Sequence, residues 1–313
     1  MRARVPSARL YGLRVLLGGP AASAVGGTAR RGAKDETIVL VWAAILAIIT
    51  LLSILPIFIY HVDLSTLSFG SDIPVVVGVG ILLTGYAPAF AAMLAVRFVP
   101  GSGSIRQLLA PSVRWRVHPV WYAIAIFGPI GLFLVGDVIR SVLGLDVPAA
   151  WLAVPSASAL VFLAGALIAG SFGEEVGWRG LAQPRLQPRR GALVAAIVVG
   201  VLWSLWHLWP VLTPGGLAAT GVAGVVLTFV RLTATSVVYA WLLNSTRGSL
   251  LIVMLAHAGH NIAAQVVPLP GGTQQVDPVT ALLYLAAAVI VVLFYGAKWL
   301  SKTHAYPLVA GSA

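Results

Sequence analysis

Long apolar runs alternate with short polar connectors along nearly the whole chain. A helix needs about 20 mostly apolar residues to cross the roughly 30 Å hydrocarbon core of a bilayer at 1.5 Å per residue. On that measure the pattern predicts spans at 37–60, 74–96, 119–140, from 157 onward, 191–209, 216–243, 249–267 and 279–300. Pro88 lies inside the second, Pro129 kinks the third, and Pro210 closes the fifth. The expected fold is therefore all-α, a polytopic membrane protein with about eight transmembrane helices in one bundle. Residues 1–36 read as a basic, disordered cytoplasmic tail, 37–300 as the membrane domain and 301–313 as a short C-terminal tail. No convincing internal repeat divides the spans, which weakens a transporter reading.

Composition agrees with the pattern. The chain is 59% hydrophobic and 9% charged, with a mean hydropathy of +0.96, values outside the soluble class. With no cysteine, disulfides and thiolate chemistry are excluded. The net charge of +11 is explained by topology. Apart from Arg140, Arg179 and Arg231, every Lys and Arg falls in the N-terminal tail, in 97–116, in 185–190, at Arg247 or at Lys298 and Lys302. These segments alternate with connectors that lack basic residues, the positive-inside arrangement of an even number of spans with both termini cytoplasmic. No nucleic-acid partner is needed; the expected partner is the lipid bilayer, in the plasma membrane of a bacterium.

Polar residues inside the spans are the next signal. An ionised side chain at the bilayer centre costs about 2.5–3.5 kcal/mol on insertion scales, so an intramembrane acid is a functional hypothesis by default. Ser171–Gly180 reads Ser-Phe-Gly-Glu-Glu-Val-Gly-Trp-Arg-Gly. Glu175 and Arg179 are four apart, acid first, the favourable order for an ion pair on a helix. Glu174 is turned about 100° away, so it has no helix-internal partner. Gly170, Gly173, Gly177 and Gly180 make a smooth face for a neighbouring helix. A second cluster is Trp203-Ser204-Leu205-Trp206-His207. A third is His257-Ala258-Gly259-His260-Asn261, where His257 and Asn261 share a helical face. Asp137 and Arg140 are spaced to pair structurally. Arg231 must find an acid, carbonyls or cavity water, either as a structural pair or as a ligand for a substrate carboxylate.

These groups permit two chemistries. A carboxylate beside an imidazole can deprotonate a water for attack on a carbonyl, and a His and Asn side by side can donate hydrogen bonds to the developing oxyanion. Alternatively, Glu174, His207 and His257 could hold Zn²⁺, although H-E-x-x-H is absent. Cofactor-free water activation is favoured.

The order E-E-x-x-x-R (Glu174, Glu175, Arg179), aromatic-x-x-x-H (Trp203, His207) and H-x-x-x-N (His257, Asn261) resembles the CPBP family, the CAAX prenyl endopeptidases and bacteriocin-processing enzymes also called the Abi family. The likeness covers about 157–265. It implies an intramembrane, glutamate-dependent endopeptidase acting on a membrane-associated or lipidated protein or peptide. Glu174 would be the general base with His207 assisting, His257 and Asn261 the oxyanion hole, and Glu175 and Arg179 supporting residues. His260 lies outside the motif and reads as structural. Trp203 stands where Phe is commonest, a change expected to be neutral because an aromatic is kept. A non-catalytic scaffold or bacteriocin-immunity protein on the same fold is the alternative.

This assignment requires Glu174 and His207 to lie at one depth. His207 is about 16 residues into the fifth span, some 24 Å from its start. Either the helix of Glu174 continues toward Arg185, or the fifth span starts late or is tilted; the first is expected, with 181–190 partly helical.

Overall fold

The computed structural model describes residues 21–67, 71–153, 170–270, 277–304 and 306. The described residues form helices and connecting loops without a strand. α1 spans Ala21–Ile59, α2 Val75–Phe98, the short α3 Ile105–Leu109 and α4 Pro119–Val142. α5 runs over 170–190 and changes character on the way: 170–175 is α-helical, Val176–Ala182 is π-helical and Gln183–Arg190 is α-helical again. α6 is Ala192–Trp206, α7 Gly216–Ser245, α8 Leu250–Val266 and α9 Pro278–Tyr295.

The helices fall where the apolar runs place them. Five are long and apolar enough to cross a membrane: Asp35–Ile59 within α1, α2, α4, α7 and α9. Ala192–Trp206 and Leu250–Val266 are apolar but shorter. The fifth and eighth spans end earlier than expected. His207 closes α6 before Pro210 is reached, and Gly296, at φ 72°, ends α9 five residues after Val291 and well short of 300. α1 begins at Ala21, upstream of the 37 read from the apolar run. The first part of the expected N-terminal tail, the start of the fourth span and most of the C-terminal tail lie outside the described residues.

Membrane residence shows in the outer surface. Leu40, Leu52, Val75, Phe98, Phe127 and Leu293 are all well exposed, a distribution suited to lipid rather than water. Inside, α1 packs on α2, α4 on α8, α6 on α7 and α7 on α9. α5 is the axis: its π-helical part touches α2, α6, α7 and α8. The glycine face explains how. A Cβ on Gly177 would stand 2.7 Å from both Cβ and O of Pro88 in α2, and one on Gly173 would overlap the carbonyl of Gly85. Only a bare backbone allows α5 this close to α2.

The two sets of connectors gather at opposite ends. At the basic end, Arg189 and Arg190 pair with Glu36 at 3.0 and 2.9 Å, the Ala192 amide donates to the Lys298 carbonyl, Arg185 donates to the Ser102 carbonyl and the Ser249 hydroxyl to the Arg114 carbonyl. At the other end, Asp137, Arg140 and Asp277 form a buried network. Arg140 donates to Asp137 at 2.9 Å and forms an ion pair with Asp277 at 2.5 Å, and Asp277 also caps α9 through the Thr280 amide. The expected structural pair is thus present, enlarged by an acid from another helix.

Candidate active site

α5 and α6 meet at Gly191, whose φ of 80° turns the chain back on itself. Glu174 lies 17 residues before this turn and His207 16 after it, and both meet the Trp203 side chain. The continuation of α5 through 181–190 therefore brings the two residues to one depth, as the mechanism requires. The π-helical stretch follows immediately after the paired acids, and such widened turns are frequent at functional sites.

Each acid has its own partners. Glu175 is fully buried; both of its oxygens accept from Arg179 Nη1, at 2.9 and 3.1 Å. The same carboxylate accepts from His257 Nδ1 at 2.8 Å, so Glu175 orients an imidazole as well as pairing with the arginine. The rest of the guanidinium lies against rings: Arg179 Cζ is 4.4 Å from the Trp203 centroid and 4.9 Å from that of Tyr239. Nε and Nη2 of Arg179 make no hydrogen bond among the described residues, and the π faces supply the compensating interaction.

Glu174 is not unpartnered. Its Oε2 accepts from Trp203 Nε1–H at 2.7 Å, a contact that spacing along one helix could not reveal. Phe, expected to be equivalent at this position, could not make this contact because it has no donor. Trp203 is the hub of the site. His207 and His257 stand edge-on to it at 5.3 and 5.4 Å.

The hydrogen bonds fix ring protons. His207 Nδ1 is 3.0 Å from the Trp203 carbonyl oxygen, which can only accept. Nδ1 therefore carries hydrogen, and in the neutral ring Nε2 is the proton acceptor. His257 Nδ1 likewise donates to the Glu175 carboxylate. Donation from His257 to an oxyanion must then use Nε2–H, which calls for the imidazolium form with Glu175 as its counter-charge. Asn261 follows one turn later on α8, and its Nδ2 donates to the Ser171 hydroxyl at a long 3.5 Å, leaving it weakly held.

Tyr239 was missed by the sequence reading. It is buried, packs on Arg179, Trp203 and His257, and its hydroxyl makes no hydrogen bond among the described residues. A lone Tyr in an apolar span gives no sequence signal to separate it from an interfacial aromatic. Arg231 and His260 form a second network. Arg231 Nη1 donates to His260 Nε2 at 3.3 Å, and His260 Nδ1 then donates to the Tyr284 hydroxyl at 2.6 Å. His260 so links α7, α8 and α9.

Among the described residues no group of three or more His, Asp and Glu side chains is placed to hold a metal ion. Glu174, His207 and His257 each lie against the Trp203 indole.

Residues 156–263 match the family described as type II CAAX prenyl endopeptidase Rce1-like. The resemblance to the CPBP family holds. The matched segment coincides with the 157–265 marked out by the motifs and contains every residue of the candidate site. The CAAX prenyl protease 2 of Methanococcus maripaludis is 27% identical over 130 residues, 40% of this chain and 46% of that protein. The chain thus matches about half the length of this curated relative.

Proposed function

We propose that the protein is an intramembrane endopeptidase that hydrolyses a peptide bond of a membrane-associated, lipidated protein or peptide. The observation that carries this reading is the gathering of Glu174, His207 and His257, from three helices, around Trp203 within the bundle. Glu174 accepts a proton from water as the oxygen adds to the scissile carbonyl, and His207, through its free Nε2, orients that water. The carbonyl oxygen becomes an oxyanion that receives hydrogen bonds from His257 Nε2–H and Asn261 Nδ2. Collapse breaks the C–N bond, and the proton held by Glu174 passes to the departing amine. Glu175 and Arg179 keep His257 in place and take no proton in the cycle. No step uses a metal ion.

An apolar groove between α1 and α6, lined by Trp42, Leu46, Ile54, Leu202, Leu205 and Trp206, passes close to the site, the Trp206 ring lying 4.8 Å from that of His207. It suits a substrate's lipid chain lying alongside the scissile bond. The basic end of the bundle is assigned to the cytoplasm on its charge, with both termini there.

The test compares membranes from cells carrying the wild type and Glu174→Ala by mass spectrometry of protein C-termini. New C-termini that depend on Glu174 are expected, and cleavage that survives Glu174→Ala, with the protein present at wild-type level, overturns the assigned base. Turnover unchanged by a chelator such as 1,10-phenanthroline is the companion expectation; its loss on chelation would overturn the metal-free route.

A further inference from the structure

We infer that Trp203 is a positioning residue whose indole N–H holds the Glu174 carboxylate in one orientation, leaving the other carboxylate oxygen to face the attacking water. The inference rests on the endopeptidase reading above and adds to it a residue that this reading leaves as packing. Three observations carry it.

The contact is short and directional. Trp203 Nε1 lies 2.7 Å from Oε2 of Glu174, within the range of charge-assisted hydrogen bonds. An indole nitrogen only donates, so the bond selects one oxygen of the carboxylate. No second donor to Glu174 is found among the described residues.

The donor cannot move. Trp203 is 2% exposed and confined on several sides: by the Arg179 guanidinium at 4.4 Å, by Tyr239 at 6.0 Å and by the two imidazoles at 5.3 and 5.4 Å. Its own carbonyl accepts from His207 Nδ1. One residue therefore sets the carboxylate with its side chain and the neighbouring imidazole with its backbone, which fixes the two water-facing groups relative to each other. A misplacement of about 1 Å in such a pair can cost a hundredfold in rate.

The acid has this one donor among the described residues. Glu174 is 8% exposed on a helix whose other carboxylate is already committed to Arg179 and His257. With Phe at 203 the ring packing on Arg179 and the imidazoles would remain, and the carboxylate would lose its donor.

Turnover is measured on an internally quenched farnesylated CAAX peptide in liposomes, with two variants. Trp203→Phe removes the donor and some volume. Replacement of Trp203 by β-(3-benzothienyl)alanine removes the N–H while keeping the indole's shape, so a packing role predicts no effect from it. Both should lower kcat about tenfold to a hundredfold with KM within twofold, and neither should lower the residual rate of Glu174→Ala further. In parallel, the protein labelled with ¹⁵N at indole nitrogen is studied by NMR in nanodiscs. The Trp203 cross-peak, assigned by its loss in Trp203→Phe, should move in Glu174→Gln and stay in place in Asn261→Ala. A benzothienyl variant with wild-type kcat, or an indole peak indifferent to Glu174→Gln, overturns the inference. A wild type inert on the peptide counts instead against the endopeptidase reading on this substrate, and the indole peak still decides whether Trp203 holds Glu174.

Discussion

His257 Nδ1 donates to Glu175 Oε1 at 2.8 Å, joining α8 to α5 across 82 positions of the chain. The carboxylate that receives it is also the counter-ion of Arg179. One buried group therefore does two things: it neutralises a guanidinium and selects which imidazole nitrogen faces away from α5. Removing it should separate stability from chemistry by the choice of replacement.

Glu175→Ala strands Arg179 in the bundle without its acid. Breaking a buried pair from one side typically costs about 3–5 kcal/mol, so a large drop in thermal unfolding temperature in detergent micelles is expected. Glu175→Gln keeps an acceptor for His257 but removes the charge. It should unfold closer to the wild type while losing turnover, because the imidazolium needed at the oxyanion has no counter-charge. A Glu175→Gln variant with full activity would show that His257 does not work as the protonated donor.

Gly177 provides a steric test of the central helix. A methyl at this position meets Pro88 Cβ and O at 2.7 Å, and backbone on both sides leaves little room to yield. Overpacking of this kind costs about 1–3 kcal/mol, so Gly177→Ala should lower the unfolding temperature and, by lifting α5 off α2, reduce turnover. Gly131, exposed on α4 with nothing within 4 Å of an added Cβ among the described residues, is the control. Gly131→Ala should leave activity intact and gain up to about 1 kcal/mol from helix propensity.

Arg140 pairs with both Asp137 and Asp277 while almost fully buried. Arg140→Leu leaves two acids facing each other and should destabilise by at least the about 3–5 kcal/mol of a broken buried pair. Arg140→Leu combined with Asp137→Asn and Asp277→Asn should recover part of this. The unfolding temperatures of the single and triple variants decide it. A single variant as stable as the wild type would mean the network contributes nothing.

What the sequence reveals follows from what is periodic or local. Apolar runs mark the helices because lipid demands length and apolarity together, and the Glu175–Arg179 and Asp137–Arg140 pairs follow from helical spacing alone. Glu174 and His207 are similarly legible, standing 17 residues before and 16 after the Gly191 turn. The contacts that spacing leaves out are those between helices. Nothing local to Trp203 says that its N–H reaches an acid on α5, nothing local to Glu175 points to His257, and Asp277 joins Arg140 only because α9 packs beside α4. The π-helical turns after Glu175 leave no composition signal either.

His257 and Asn261 are proposed to bind the same oxyanion, and their different anchoring makes the pair separable. His257 is locked by Glu175, whereas the Asn261 amide is held among the described residues by the 3.5 Å contact to Ser171. Loss of one donor of an oxyanion hole costs about 10²–10³ in kcat. Asn261→Ala should show that loss with an unfolding temperature close to the wild type, because little structure rests on its amide. His257→Ala should lose as much rate and some stability, since it removes one of the two donors to Oε1 of Glu175. If both act on one atom, the double variant should fall short of the product of the two losses. Strictly multiplicative effects on kcat would place the two residues on different parts of the substrate and remove the shared oxyanion hole from the mechanism.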